Sequence, residues 1–310
     1  MKVAIDVTPL RLTRAGTARY LENIRSRVDA RELAFAGSGG ASVLARELWW
    51  YPFRLSLLGG CDVLHCPTYY APLRPRVPTV VTVHDLAVLR NPEWFPPWTR
   101  TYAPRVVPRM IRAAARVIAV SAFTAREIEE LLDIPDERIR VIPNGVEPVF
   151  TPGGARADGE YVLAVGTLEP RKNLQRTIEA ARRVGVELRV VGERGWGGVD
   201  AGVAWQGRVE DEELARLYRG ARCLVFPSHY EGFGIPVAEA LACGTPVVIS
   251  RGSAMEEIAG AAAVLVDPLD VESIAAGIVE ASSRRIEGFA PPTWDDAARL
   301  TVDVYREVAV

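Results

Sequence analysis

Short, continuous apolar runs alternate along the chain with longer stretches in which apolar residues recur every third or fourth position. The runs Val3 to Val7, Val63 to His65, Thr79 to Val83, Val117 to Val120 and Ile139 to Ile142 read as strands buried on both faces. Thr17 to Val28 and Ala122 to Leu132 carry the helical period between them. Such alternation predicts an α/β domain built on a parallel sheet.

The pattern breaks at Pro143-Asn144-Gly145 and across the Pro/Gly-rich stretch Pro148 to Gly159, then restarts. Predicted strands follow at Tyr161 to Val165, Glu187 to Val191, Val203 to Gln206, Leu224 to Pro227, Val247 to Ser250 and Ala263 to Val266. Predicted helices separate them at Leu174 to Val184, Asp211 to Gly220 and Val237 to Ala242, and two more follow near Val271 to Ser283 and Trp294 to Val308. We therefore expect two Rossmann-like, doubly wound domains, residues 1–150 and 151–293. A chain of 310 residues exceeds what one core usually serves, which agrees.

Composition excludes several classes. Apolar residues at 49% and charged residues at 25% are those of a globular protein. The opening Met1-Lys2-Val3-Ala4-Ile5-Asp6 turns acidic too early for a signal peptide, and no apolar run approaches the roughly 18 residues of a spanning helix. The expected location is the cytoplasm. Four cysteines without a Cys-x-x-Cys pair and three histidines give no zinc pattern. The net charge of −2 hides an asymmetry: residues 1–116 hold 17 basic against 8 acidic residues, an excess of nine, and the remainder 20 against 31. The first half thus favours anionic company, and no nucleic-acid-binding motif accompanies it. Interleaved Trp49, Trp50, Trp94, Phe95 and Trp98 suggest a face that meets an anionic, lipid-linked acceptor or the inner membrane surface; a merely solvated basic face is the alternative.

Two segments carry candidate chemistry. In His229-Tyr230-Glu231-Gly232-Phe233-Gly234-Ile235-Pro236, a predicted strand ends and Pro236 suits the first turn of a helix that also bears Glu239. Glu231 then lies on a loop at a strand's carboxyl end, where open α/β sheets bind ligands. Gly232 and Gly234 allow close backbone approach to a phosphate, and amides at a helix start favour anions. A glutamate in the opening turns of a helix also complements the dipole, so a structural role for Glu239 stays open. The second segment, Gly166-Thr167-Leu168-Glu169-Pro170-Arg171-Lys172-Asn173-Leu174, sets two adjacent cations at a helix start, against the dipole. An anion lying across Arg171 and Lys172 would explain both. Lys172 is one of only two lysines among 37 basic residues.

In this order, with Val141-Ile142-Pro143-Asn144-Gly145-Val146, Thr82-Val83-His84-Asp85-Leu86 and a loop bearing Gly16 and Tyr20, these segments resemble the retaining glycosyltransferase family 4, closest to its bacterial mannosyltransferase-like branch. The resemblance covers nearly the whole chain. It implies the GT-B architecture, two Rossmann-like domains facing across a cleft, with the C-terminal helix 294–310 crossing back to the first. It implies a nucleoside-diphosphate sugar donor, GDP-mannose first and UDP-glucose or another UDP-hexose next, and a glycan, lipid-linked or small-molecule acceptor. In that reading Glu239 holds the ribose hydroxyls, Glu231 the donor sugar, helped by amides around Gly232, Phe233 and Gly234, and Lys172 with Arg171 the diphosphate. His84 serves donor sugar and acceptor, Gly16 approaches the phosphates, and Val209 in Gly207-Arg208-Val209 contacts the base. Many relatives have arginine where this chain has Thr167, so Arg171, Arg14 or Arg19 is expected to substitute. No Asp-x-Asp signature ends an apolar strand, and fixed cations can stabilise a leaving phosphate, so no metal or other cofactor is expected. An epimerase, a phosphorylase or a silent sugar-nucleotide-binding module on the same fold are the alternatives.

Overall fold

A computed structural model describes residues 1–12, 16–37, 40–58, 60–193 and 203–309. Its internal contacts divide the chain into two compact units, Met1–Gly145 with Thr293–Val310, and Val146–Pro292.

The first unit holds strands β1 (Val3–Asp6), β2 (Arg31–Leu33), β3 (Val63–Cys66), β4 (Thr79–Val83), β5 (Arg116–Ala119) and β6 (Ile139–Val141). They form one parallel sheet in the order β2-β1-β3-β4-β5-β6. Successive side chains point to opposite faces, so each strand feeds two cores. Leu64, Val81 and Val117 pack on one side, and Ile5, Val63, Val80 and Ile118 on the other. Helices α1 (Gly16–Arg27), α2 (Gly40–Ala45), α3 (Ala87–Arg90), α4 (Pro97–Ala113) and α5 (Ala122–Leu132) accompany the sheet. The sequence pattern did not predict α4, whose interior holds Pro104 and Pro108, residues that ordinarily interrupt the helical bond ladder. Nor did it predict the helical stretch in which α2 runs into Arg46–Arg54, wound i→i+5, and a 3₁₀ turn, Leu55–Leu57.

The C-terminal helix, Trp294–Val308, lies in this unit. Thr293 caps it by accepting from the Asp296 amide, and Trp294 and Tyr305 are buried. Tyr305 Oη meets His65 Nδ1 at 2.6 Å, His65 Nε2 meets Thr82 Oγ1 at 2.9 Å, and Tyr20 Oη joins the same hydroxyl at 2.9 Å. Burial pushes His65 down to about 3, so this relay is neutral and structural. A Cβ on Gly145 would stand 2.2 Å from the Trp294 amide nitrogen, which explains the glycine that closes Pro143-Asn144-Gly145. The chain leaves the unit there rather than at 150, because Phe150 packs edge-on against Tyr218 of the second unit.

The second unit contains β7 (Tyr161–Val165), α6 (Leu174–Val184), β8 (Glu187–Val191), β9 (Ala204–Trp205), α7 (Asp211–Gly220), β10 (Leu224–Phe226), α8 (Ile235–Ala242), β11 (Val247–Ser250), α9 (Met255–Ala259), β12 (Ala263–Val266) and α10 (Val271–Ser282). Its parallel sheet has the order β12-β11-β10-β7-β8-β9. The chain runs outward from β7 through β8 to β9, returns to β10 on the other edge of β7, and runs outward again. The strand order therefore reverses between β7 and β10. Among the described residues no helix is long and apolar enough to cross a membrane.

Candidate active site

At the point where strand order reverses, the loops after the two flanking strands diverge and leave a crevice at their carboxyl ends. The two loops here are those singled out by chemistry. After β7 the chain makes a turn at Gly166, a 3₁₀ turn Pro170–Lys172, and enters α6 through Asn173, which is left-handed at φ 57°. Asn173 holds that conformation by donating from Nδ2 to the carbonyls of Pro227, 3.1 Å, and Pro268, 2.6 Å. After β10 the chain passes through Glu231 and enters α8 through Gly234, with Pro236 in the first turn. Gly234 has φ 95°, and a Cβ there would lie 2.6 Å from Met255 Cγ, so both conformation and space call for glycine.

The loops are joined by charge. Lys172 Nζ donates to Glu231 Oε1 at 2.6 Å, and Arg171 Nη1 stands 3.2 Å from Glu231 Oε2. Arg171 also donates through Nε to Glu169 Oε2 at 2.7 Å, and its carbonyl accepts from the His229 amide at 2.8 Å. The Lys172 ammonium lies 4.8 Å from the centre of the Phe226 ring, a cation–π distance. Burial by itself raises the Glu231 carboxyl, but Lys172 and Arg171 outweigh it and hold the group below the usual carboxylate range. Burial pushes the Lys172 ammonium below its ordinary value, against the pull of Glu231. A small cavity of about 20 Å³ borders the turn, lined by Gly166, Thr167, Lys172 and Phe226 among others.

Glu239 projects from α8 and is buried, its Oε2 accepting from Tyr218 Oη at 3.1 Å. Gly232 and Phe233, which follow Glu231, are buried. Val209 is half-buried in the loop after Gly207, whose carbonyl accepts from the Gly192 amide at 2.8 Å.

In the first unit, strand order reverses between β1 and β3. Gly16 is exposed at the start of α1, the helix after β1. His84 directly follows β4, next to β3, and its Nε2 donates to the Pro67 carbonyl at 2.9 Å. A carbonyl only accepts, so Nε2 carries the proton and Nδ1 is the acceptor. Burial lowers the His84 pKa, against the Pro67 carbonyl and Asp85, so the ring is neutral at neutral pH. Tyr20 meets it edge-on at 4.8 Å between ring centres.

Two family models divide the chain: one described as glycosyltransferase family 4 matches residues 12–150, and one described as glycosyl transferases group 1 matches residues 149–287. Over 288 residues the chain is 30% identical to the O-antigen chain mannosyltransferase B of Escherichia coli, an overlap of 79% of this chain and 74% of the relative. The chain belongs to glycosyltransferase family 4. A sucrose-phosphate synthase from Thermosynechococcus elongatus shares the fold, with TM-score 0.80 and 17% identity, over 99% of this chain and 98% of that one. So does Anabaena HepE in complex with UDP and glucose, with TM-score 0.72 and 18% identity, over 100% and 98%. The protein is thus a glycosyltransferase with the two-domain α/β architecture called GT-B.

Within that family assignment, the structure brings Arg171, Lys172 and Glu231 into contact and places Glu239 on the helix that the Glu231 loop enters. Glu169, Asn173 and Tyr218 hold these groups and escaped the sequence reading; Glu169 and Asn173 stood within the quoted motif, whereas nothing local marked Tyr218. Of the cations considered in place of an arginine at 167, Arg14 lies outside the described residues and Arg19 is half-buried on α1. Arg171 stands against Glu231. Among the described residues no group of three or more His, Cys, Asp or Glu side chains is placed to hold a metal ion. The expected aromatic surface needs correction: Trp50 is buried in the first unit's core beside the sheet, Trp94 and Phe95 are half-buried, and Trp49 and Trp98 are exposed.

Proposed function

We propose that this glycosyltransferase moves a hexose from a nucleoside-diphosphate sugar to a glycan, lipid-linked or small-molecule acceptor, with retention of configuration and without a metal. The observation that carries the reading is the cluster of Arg171, Lys172 and Glu231 at the strand-order reversal of the second unit. Two cations there suit a diphosphate, and a carboxylate held ionised suits sugar hydroxyls, from which it accepts hydrogen bonds. GDP-mannose is the first donor to test, given the likeness to a mannosyltransferase, and UDP-glucose the next, given the likeness in fold to a protein solved with UDP and glucose.

Glu239 takes the ribose hydroxyls, with Tyr218 orienting its carboxylate. When the diphosphate arrives, Lys172 and Arg171 turn part of their charge from Glu231 to the phosphate oxygens, so charge grows on the leaving group where fixed cations await it. The C1–O bond to the diphosphate breaks with oxocarbenium character, and the acceptor hydroxyl attacks from the same face. The departing phosphate oxygen takes the acceptor's proton. Glu231 positions the sugar and forms no bond to it. His84, which the family resemblance assigns to donor sugar and acceptor, is neutral and offers Nδ1 as an acceptor for a substrate hydroxyl.

Thermal-shift screening with GDP, UDP, ADP and their common sugars tests the donor, since a ligand bound only by the native state raises its stability. Matching GDP and GDP-mannose shifts, followed by mannose release or transfer that survives a chelator, support the proposal. No shift with any nucleotide, or transfer that needs added Mg²⁺ or Mn²⁺, would overturn it.

A further inference from the structure

The stretch from Gly40 to Leu57 presents one face to the core and another to water. Glu47, Trp50, Tyr51 and Leu55 are buried, whereas Leu44, Leu48, Trp49, Phe53 and Leu57 are 46–53% exposed. Leu48, Trp49 and Phe53 lie in the i→i+5 stretch Arg46–Arg54, with Leu44 on α2 before it and Leu57 in the 3₁₀ turn after it. The Leu55 amide donating to the Trp50 carbonyl continues that winding. Trp98, 40% exposed at the start of α4, is tied to this segment by donating from Nε1 to Glu47 Oε2 at 2.5 Å.

Isolated exposed apolar residues are ordinary, but five on one helical segment, with a sixth tied to that segment, mark an interaction surface. The charges beside it say what kind. Between Gly40 and Leu58 the single acidic residue, Glu47, is buried against Trp98 and Arg46. Arg54 lies within the stripe's own segment, and on α4 Arg100 is exposed in the first turn, two residues after Trp98, and Arg105 is exposed further along. Glu93, in the turn Pro92–Trp94 ahead of Trp98, is exposed, but Gly40–Leu58 itself carries no exposed carboxylate, and large apolar groups with tryptophans and neighbouring arginines match the acyl boundary and the phosphates of an anionic bilayer. We propose that the segment Gly40–Leu57, with Trp98, is a membrane-docking face that inserts Leu44, Leu48, Trp49, Phe53 and Leu57 into the surface of an anionic bilayer. Its purpose rests on the lipid-linked acceptor proposed above, which such docking would bring to the first unit.

Co-sedimentation with phosphatidylcholine vesicles, with and without phosphatidylglycerol, tests it. The wild type should bind the anionic vesicles and release as salt rises, because the screening length falls from about 10 Å at 0.1 M to about 3 Å at 1 M. Leu48→Ser/Phe53→Ser should weaken binding by about tenfold or more, from the apolar area no longer inserted. Arg54→Glu/Arg100→Glu, which leaves the stripe intact, should weaken binding to anionic vesicles. Leu269→Ser, at a residue 66% exposed in the second unit, should change nothing. Absence of wild-type binding at low salt, or stripe variants that bind as the wild type does, would overturn the proposal. So would a wild-type dimer that the stripe variants convert to monomer, since a second copy would then cover the face. Nucleoside-diphosphate binding, followed by calorimetry in each variant, reports separately on the donor reading and should not change.

Discussion

Replacing Lys172 with alanine separates two effects that one ion pair combines. The ammonium lies 2.6 Å from Glu231 Oε1, and the two side chains are 15% and 10% exposed. Removing one partner of a buried pair costs about 3–5 kcal/mol. Arg171 remains 3.2 Å from Oε2, so the low end, about 3 kcal/mol, is expected. Turnover falls by about 10²-fold or more, the scale for losing one preorganised charge at a leaving group. The pH profile carries a sign. In the folded protein the Glu231 carboxyl sits below the ordinary glutamate value of about 4.3, so its contribution to stability is present above that value and is lost as pH falls through the folded one. Without Lys172, burial is less opposed and the folded value rises. The loss of stability that protonation of Glu231 brings in the wild type as pH falls is therefore smaller in Lys172→Ala, and it reverses sign if the folded value passes the unfolded one. Melting temperatures recorded from neutral to acid pH, beside donor turnover, read both effects. Lys172→Met/Glu231→Gln, lacking both charges, should regain part of the lost stability and stay inactive. Turnover by Lys172→Ala within a few-fold of wild type would move the leaving-group role to Arg171. An unchanged acid profile would refute the electrostatic coupling itself.

Glu239→Gln should weaken nucleoside-diphosphate binding by roughly tenfold or more, the scale of a hydrogen bond to a charged group, whereas Glu231→Gln should spare that binding and lose discrimination among sugars. Calorimetry with GDP and UDP separates them, and unchanged affinity in Glu239→Gln would withdraw the ribose assignment. Gly234→Ala should destabilise the second unit by about 1–3 kcal/mol from the left-handed backbone alone, with the Met255 contact adding to it. A melting temperature equal to wild type would show that the loop relaxes without cost.

How much of this protein was legible beforehand follows from what hydrophobic pattern encodes. Strands covered on both faces are largely apolar, so β4, β7, β11 and β12 stood out as runs, with α5, α6 and α7 as periodic stretches between turn residues. Lys172 beside Arg171 was conspicuous because a helix start repels cations, and Glu231 because it follows a strand. Periodicity says nothing about which strands become neighbours. That Lys172 and Glu231, 59 residues apart, share a hydrogen bond depends on β10 pairing with β7, a choice made by packing the whole sheet. The same holds for Tyr218 against Glu239 and for Tyr305 against His65. Local winding was equally hidden: Pro104 and Pro108 masked α4, and the i→i+5 stretch Arg46–Arg54, in which Trp50 is buried and Trp49 exposed, has no signature in the hydrophobic period. Composition and spacing thus determined the elements and the residues with chemistry to offer. Which of them meet was left to the tertiary structure, because strand order and helix winding are settled by long-range burial that no local window contains.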